Sequence, residues 1–223
     1  MVNLIRQVFS FVSGQPIQEN AMKISAIIWS LFLLTPLSAQ TWELGVFAGR
    51  QTYNSISTSM PGLTTNESCA KKTALAARLG YSVIDLGPAM LQLTVGYQPS
   101  VTTTARVITQ GTSVPGQPPT DSGPLDYQAS HASVGMMVNF KALLAVGVGI
   151  EMRFEKQSLA SNSTSYARPW LRANIGMAFP TPVIKPFVGL ELAAALSSTS
   201  DGLQPIKSLA PKSQIGIYTG IRF

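Results

Sequence analysis

Eight charged residues occupy alternate positions in stretches that are otherwise apolar or small. Each is flanked by uncharged neighbours, so an extended chain would place all eight on one face of its strands. Buried charges must be paired with charges of opposite sign, so this composition predicts a network of ion pairs. Because arginine outnumbers glutamate, a narrow, gated, anion-preferring pore is the alternative. The set is Glu43, Arg78, Glu151, Arg153, Arg168, Arg172, Glu191 and Arg222.

A second candidate for chemistry is the pair His131 and Ser133. A serine nucleophile needs its base within hydrogen-bond reach and a third group that holds the base in place. The sequence shows no glutamate placed to orient His131, and both residues fall on the same face as the charged set. We therefore expect no catalytic residues and no enzymatic activity.

Metal and cofactor chemistry has no sequence support. The chain lacks a His/Cys cluster, an acidic loop of EF-hand type and a phosphate-binding glycine motif, so we expect no metal and no other cofactor. Cys69 is the single cysteine, which excludes an intrachain disulfide and leaves a thiol in a loop or at a strand end as the simplest interpretation.

The N-terminal region has the pattern of a cleaved export signal. Lys23 precedes an apolar stretch, residues 24–34, and Ala39 offers a cleavage site before Gln40. The stretch is shorter than the roughly 20 residues of a spanning helix. Met22 is a typical start, so we expect residues 1–21 to be an upstream extension, 22–39 a signal peptide and 40–223 the mature domain.

The net charge of the chain is +6. Because an exported chain without a run of basic residues does not meet nucleic acid, we expect no nucleic-acid partner.

The mature region contains eight segments in which apolar residues alternate with small or polar ones, the period of a β-strand. Charged residues make up 12% of the chain, about half the roughly 25% usual in soluble domains. Polar residues therefore alternate with apolar ones along the chain and are not concentrated on a solvent-exposed surface. The segments are residues 42–49, 73–81, 91–98, 131–140, 144–155, 168–179, 187–194 and 214–223.

The connections between segments alternate in length. Those after the second, fourth and sixth segments are short, whereas those after the first, third, fifth and seventh are long and polar: residues 54–72, 100–126, 156–165 and 197–213. Transmembrane barrels have short periplasmic turns, longer extracellular loops and an even number of strands. The pattern predicts an all-β protein, an eight-stranded antiparallel up-and-down transmembrane β-barrel with both termini periplasmic.

Aromatic residues support the same arrangement. Five of them lie on the apolar face at segment ends nearest a short turn or a terminus, where a periplasmic aromatic girdle is expected. The alternative is a lipocalin-like soluble barrel with its apolar face inside. The polar face is rich in glycine and arginine, which suits a narrow lumen better than a solvated surface. The five residues are Trp42, Tyr81, Phe140, Phe179 and Phe223.

Two stretches give the chain a family resemblance: residues 184–196, IKPFVGLELAAAL, and the closing residues 214–223, QIGIYTGIRF. Residues 40–223 resemble the small eight-stranded outer-membrane proteins, OmpA-like and OmpX-like barrels, and the PorT-like "porin family" barrels of Bacteroidetes. The resemblance implies the Gram-negative cell outer membrane, contact with lipid and lipopolysaccharide, and recognition of the C-terminal strand by the barrel assembly machinery. It implies no activity.

The resulting functional hypothesis is a structural or surface-interaction protein whose lumen is plugged by the Arg/Glu network. Residues 100–126 are the strongest candidate for contact with an extracellular protein or surface ligand. A narrow porin-like channel for small solutes or anions is the alternative. A lipid A-modifying enzyme is the third hypothesis, because some lipid A deacylases are eight-stranded barrels with His, Ser and Glu facing the lipid. The parity of His131 and Ser133 argues against it, since it places both residues in the lumen.

Overall fold

The computed structural model describes residues 42–86, 88–111, 118–140, 144–179, 181, 184–197 and 205–223. The expected upstream extension and signal peptide lie outside these residues. Within these residues, eleven strands and one short helix follow one another: β1 Trp42–Tyr53, β2 Ile56–Met60, β3 Leu63–Cys69, β4 Lys72–Asp85, β5 Ala89–Gly111, β6 Thr120–Asp121, β7 Leu125–Phe140, β8 Ala145–Leu159, β9 Asn162–Ala178, β10 Lys185–Ala195, α1 Pro205–Ser208 and β11 Pro211–Arg222.

Eight of the strands form a closed antiparallel ring. The hydrogen-bonded order is β4, β1, β11, β10, β9, β8 and β7, and β5 closes the ring by pairing with both β7 and β4. Each strand of the ring pairs with the ring strand that follows it in sequence, and β11 pairs with β1, as in an up-and-down barrel. The prediction of an eight-stranded antiparallel up-and-down barrel is therefore confirmed, and each predicted segment lies within a strand or ends one residue outside it.

The outer surface of the ring is apolar. From Trp42 to Ala48 on β1, and over the matching stretches of the other seven strands, the outward positions carry no charged side chain. Leu190 on β10 and Ile150 on β8 are 57% and 54% exposed. A continuous apolar belt of this kind would be costly in water, and only a closed sheet pairs all its backbone groups in hydrocarbon. The chain is a membrane barrel.

Three of the four long connections, residues 54–72, 100–126 and 156–165, differ from the prediction because much of each is strand. β8 continues to Leu159 and β9 begins at Asn162, so the predicted loop 156–165 reduces to a two-residue turn. In residues 54–72 the strands β2 and β3 form a hairpin that pairs along the upper part of β5. The physical reason is that outward side chains above the membrane meet water, so apolar alternation stops although the strand continues.

The turn of the added hairpin follows directly from its residues. Pro61 and Gly62 lie between β2 and β3, and Gly62 has a φ of 80°. Proline fixes the first central position of a tight turn, and glycine tolerates the left-handed second position.

In the part of the chain that the structure describes, no helix has the length and apolar composition to cross a membrane.

Candidate functional site

The interior of the barrel is the candidate site, and the inward parity of the strands positions its residues. All eight members of the predicted charged set point inward; seven are buried, and the side chain of Arg222 at the terminal mouth is 14% exposed. They form stacked layers, and the order of the layers follows the strands. On β1 the inward side chains run from Glu43 through Phe47 and Gln51 to Tyr53.

The layer nearest the chain terminus is centred on Glu43. Its carboxylate accepts a hydrogen bond from the Tyr218 hydroxyl at 2.6 Å and one from Arg222 Nε at 2.7 Å. The guanidinium of Arg222 lies 5.1 Å from the ring centroid of Phe187. Gly45 gives the Tyr218 ring its space, since a Cβ at this position would lie 2.5 Å from Cε2 and Cζ of the ring.

The middle layer is a chain of ion pairs that crosses the lumen. Arg78 on β4 pairs with Glu191 on β10. Arg172 on β9 lies between two carboxylates, with Nη1 at 3.1 Å from Glu151 Oε2 and Nε at 3.9 Å from Glu191 Oε2. Arg153 Nε completes the chain at 2.6 Å from Glu151 Oε1. Every charge in this layer touches a charge of opposite sign, which is the condition for burying them together.

A layer of three glutamines lies above these ion pairs. Gln214 Nε2 donates to the side-chain oxygens of Gln51 and Gln98, both at 2.6 Å, and Gln98 Nε2 donates to Gln51 at 2.9 Å. Arg153 Nη1 donates to Gln214 Oε1 at 2.9 Å and so connects the two layers. These amides belong to β1, β5 and β11, which lie in one half of the ring, and the bond from Arg153 on β8 connects the layer to the other half.

The upper layer is centred on Glu155, which was not in the predicted set. Its carboxylate accepts two hydrogen bonds from Arg168, at 3.0 and 2.9 Å, and one from Trp170 Nε1 at 2.8 Å. Tyr166 and Gln157 also donate to it, at 3.1 and 3.2 Å. With Glu155 included, the five arginines face four glutamates, Glu43, Glu151, Glu155 and Glu191, so the arginine surplus falls from two to one.

The last long connection closes the mouth of the barrel above Glu155. Leu209 and Ala210, which follow α1, are fully buried, and Leu209 packs in a cluster with Tyr53, Tyr127 and Ala129. Arg168 donates to the carbonyl of Pro211, and Asn54 N donates to the carbonyl of Ala210 at 3.0 Å. The predicted loop 197–213 therefore includes a cap that is packed and hydrogen-bonded.

Cys69 lies beside this cap, at the end of β3 and outside the spanning part of the strands. Burial raises the pKa of its thiol to about 12, and the nearby Glu67 carboxylate adds to the increase. Glu67 also accepts a hydrogen bond from the Ser208 hydroxyl of α1 at 2.9 Å. The thiol is therefore protonated at neutral pH and a poor nucleophile.

His131 and Ser133 are both buried and face the lumen, not the lipid. Glu155 is the register partner of His131 on β8, but its carboxylate is held by Arg168 and Trp170. Among the described residues, no hydrogen bond joins His131 to Ser133. The two residues and Glu155 are brought near one another without the geometry of a nucleophile, base and orienting acid.

The five predicted girdle aromatics lie at the end of the barrel where Trp42 of β1 pairs with Phe223, which follows β11. The rings of Trp42 and Tyr81 are register partners with centroids 4.6 Å apart. Phe140, Phe179 and Phe223 are each about half exposed. All five are outward-facing, so this end of the apolar belt has an aromatic edge.

Sequence reasoning missed the neutral members of the interior. Gln51, Gln98 and Gln214 are buried and bonded, and Tyr218 and Trp170 complete the carboxylate contacts. All share the inward parity of the predicted charges, so parity applied to every polar residue would have found them. In the described part of the chain, no group of His, Cys, Asp and Glu side chains is arranged to hold a metal.

Comparison with known proteins gives likenesses of fold. No protein-family model matches the chain, and no curated protein matches its sequence. The structure is similar to Ail, the attachment invasion locus protein of Yersinia pestis, at 13% identity over 83% of this chain and 100% of that chain, with a TM-score of 0.40.

Two further solved structures are similar in fold. Neisserial surface protein A (NspA) is 10% identical over 83% of this chain and 98% of that chain, with a TM-score of 0.43. The outer membrane protein OprG from Pseudomonas aeruginosa is 10% identical over 83% of this chain and 96% of that chain, with a TM-score of 0.43. These likenesses agree with the expected resemblance to small outer-membrane barrels, while the fold itself rests on the strand pairing of this chain.

Proposed function

We propose that this chain is an integral outer-membrane β-barrel that does not conduct and that acts through its outer surface, as a structural or surface-interaction protein without enzymatic activity. The observation that carries the proposal is the filled interior. From Glu43 to Leu209, successive layers of side chains contact each other across the lumen. An eight-stranded barrel is only just wide enough to be filled by side chains, so such layers leave no continuous water path.

Charge pairing is the first support for a plug. An ion pathway needs charged side chains that water can reach, whereas Arg153, Glu151 and Glu191 are each at most 4% exposed. Arg153 pairs with Glu151, and Glu191 pairs with Arg78 and Arg172, so a permeating anion would have to break an ion pair. Removing one partner of a buried pair costs about 3–5 kcal/mol, so the intact pairs are strongly favoured over separated charges.

The channel alternative rests on the arginine surplus, and the arrangement weakens that support. Glu155 neutralises Arg168, and Glu151 contacts both Arg153 and Arg172. The least buried arginine of the set, Arg222, is held by Glu43 at the terminal mouth. A single excess charge spread over this network offers little preference for anions.

The orientation that we propose puts the terminus and the short turns in the periplasm. The strands β5, β7, β8 and β9 extend far beyond the apolar belt at the opposite end, and β2 and β3 add to the same sheet. Short periplasmic turns and tall extracellular elements are the general pattern of such barrels. The barrel assembly machinery would then recognise β11, the strand that ends at the periplasmic side.

The extended outer sheet supplies a surface for a protein partner. Among the described residues, β2 pairs with β3 alone, so its other edge is open. In a hairpin with a two-residue turn, Ser57 and Ser59 direct their backbone groups to that open edge. The strand ISTSM has no charge or proline to block pairing, so an extended segment of another protein could add to it.

Planar-bilayer recording tests the plug. The purified full-length barrel should show no discrete conductance steps between pH 5 and 8. Anion-selective steps in the native protein that disappear in Arg172→Ala would overturn the proposal. Leu190→Ala, on the lipid-facing side of β10, is the matched control and should behave as the native protein does. Heat-modifiable migration on gels verifies in each case that a folded barrel was recorded.

Binding at the open edge is tested by comparing Ser59→Pro with Ser59→Ala in cells. The proline removes a backbone donor that faces the open edge, so surface binding by intact cells should fall while barrel yield stays unchanged. Equal binding by both variants and by a deletion strain would remove the surface-interaction role and leave the structural role.

The proposed absence of enzymatic activity has its own test. An altered lipid A mass spectrum on overexpression of the barrel would contradict it.

A further inference from the structure

Two arginines of the lumen lie directly opposite each other on neighbouring strands. Arg153 on β8 and Arg168 on β9 are register partners, and their guanidinium carbons lie 3.8 and 5.0 Å from the ring centroid of Trp170. Like charges directly opposite in a sheet repel each other, and water screens this pair little because the two residues are 1% and 3% exposed. Both arginines therefore depend on negatively charged partners to remain buried.

The glutamates leave one guanidinium nitrogen of each arginine unused. Arg153 donates through Nε to Glu151 and through Nη1 to Gln214. Arg168 donates through Nε and Nη2 to Glu155. Among the described residues, Arg153 Nη2 and Arg168 Nη1 are buried and have no hydrogen-bond partner. Buried N–H donors are nearly always paired in folded proteins, so these two nitrogens mark a place for an acceptor from outside the chain.

Three further buried donor groups of the upper lumen have no partner among the described residues: Gln51 Nε2 and the hydroxyls of Tyr53 and Tyr127. Gln51 belongs to the glutamine layer, and the two tyrosine rings, with centroids 5.7 Å apart, pack with Leu209 of the cap. In the same part of the described interior, Gln157 Oε1 is the unpartnered acceptor. A region with so many more donors than acceptors favours an anion, which accepts hydrogen bonds and donates none.

The balance of charges in the lumen indicates the charge of that anion. Five inward arginines face four glutamates, so one positive charge is left over. The three arginines of the middle layer share its two glutamates, which places the surplus in that layer. Arg153 is the member of the layer that reaches up to the glutamine layer and lies opposite Arg168. One monovalent anion beside Arg153 would balance the charged set.

We propose that Arg153 Nη2 and Arg168 Nη1 bind a small monovalent anion of the size of chloride, between the glutamine layer and the cap. Arg153 reaches this space from the glutamine layer through its bond to Gln214, and Arg168 from the cap through its bond to the Pro211 carbonyl. The inference rests on the non-conducting lumen proposed above, because the layers on both sides hold the ion in place. The ion is then a structural part of the plug and not a permeating species.

The test is urea-driven unfolding of the refolded full-length barrel in detergent, with sodium chloride exchanged for sodium gluconate at constant ionic strength. One anion bound to the folded state should raise the ratio of folded to unfolded protein about fourfold to tenfold between about 50 and about 500 mM chloride, for dissociation constants up to about 100 mM. Arg153→Gln removes the surplus charge and one of the two donors, so its ratio should change less than about twofold.

The matched control is Arg222→Gln, which removes an inward arginine at the terminal mouth, away from the site. This variant should keep the chloride dependence of the native barrel, since the anion is held by local donors and not by the net charge of the lumen. A native barrel whose stability ignores chloride, or an equal chloride effect in the native barrel and in Arg153→Gln, would overturn the site.

A second measurement needs no variant. Crystals of the native barrel grown in sodium bromide should give an anomalous-scattering peak in the lumen within hydrogen-bond distance of Arg153 Nη2 or Arg168 Nη1. Bromide peaks confined to the protein surface, or water bonded to both nitrogens, would overturn the inference. Bilayer recording separates the two proposals: discrete conductance steps in the native barrel defeat the plug, whereas a silent barrel with neither a chloride effect nor a peak in the lumen defeats this inference alone.

Discussion

Trp42 and Phe223 hydrogen-bond to each other through both of their backbone groups, with Trp42 N at 2.7 Å from Phe223 O and Phe223 N at 2.9 Å from Trp42 O. Phe223 thus continues the seam between β1 and β11, and Glu43 faces Arg222 one position further in. In hydrocarbon an unpaired backbone group costs several kcal/mol, so the seam must be paired throughout the membrane-spanning part, and the Trp42–Phe223 bonds hold its interfacial end together.

Deleting Phe223 should therefore impair barrel assembly more than Arg222→Ala does. The deletion removes both backbone bonds to Trp42 and one girdle aromatic, whereas the alanine keeps the backbone and loses only the ion pair to Glu43. The measurement is the amount of heat-modifiable protein in purified membranes. Phe223→Ala keeps the backbone bonds and serves as the intermediate control. Equal yields for the deletion and for Arg222→Ala would mean that the closing seam tolerates a missing residue.

Glu155→Gln should be among the more destabilising single changes of the interior. The substitution removes the negative charge that Arg168 faces while both side chains stay buried, so the barrel should lose about 3–5 kcal/mol of unfolding free energy. Urea-driven unfolding of the refolded barrel in detergent measures the loss. Glu43→Gln is the matched comparison and should cost less, because the side chain of its partner Arg222 is 14% exposed and can take up water. Losses of the same size at both positions would show that burial does not set the strength of these pairs.

Gly45→Val should destabilise the barrel by about 1–3 kcal/mol, the usual cost of overpacking a filled interior. A Cβ at Gly45 would collide with the Tyr218 ring, and moving the ring would break its hydrogen bond to Glu43. Ala48→Val is the control, since Ala48 lies on the same strand but faces outward, where extra bulk meets lipid. The same urea assay compares the two, and an unchanged midpoint for Gly45→Val would show that the lumen has room to spare.

Cys69 should react slowly with disulfide reagents at pH 8. With a thiol pKa of about 12, the thiolate fraction is on the order of 10⁻⁴, against roughly a quarter for an ordinary cysteine, so labelling should be at least about 100-fold slower than in the unfolded chain. Because the pKa is raised, the rate should climb about tenfold for each pH unit above 8. Absorbance of the released thiol anion follows the reaction. A rate that levels off near pH 9 would show that Cys69 is not buried as described.

The alternation of residues such as Val146, Val148 and Ile150 was enough to place the eight spanning strands, because every other side chain of those strands meets lipid. The same rule fails above the membrane. Outward side chains of β5, β8 and the β2–β3 hairpin meet water there, so their polar sequences predicted loops although the backbone ladder continues. Boundaries at the outer end were therefore set by pairing between distant strands, which no local pattern contains.

The sequence by itself determined which residues face inward, since parity follows from the period of the strand and from the apolar solvent outside. It could not determine which inward residues meet. Arg78 and Glu191 are 113 positions apart, and Gln51 and Gln214 are 163 apart. Both pairs touch only because β1 pairs with β11 and so closes the ring. Closure and strand register convert a list of inward residues into stacked, charge-matched layers.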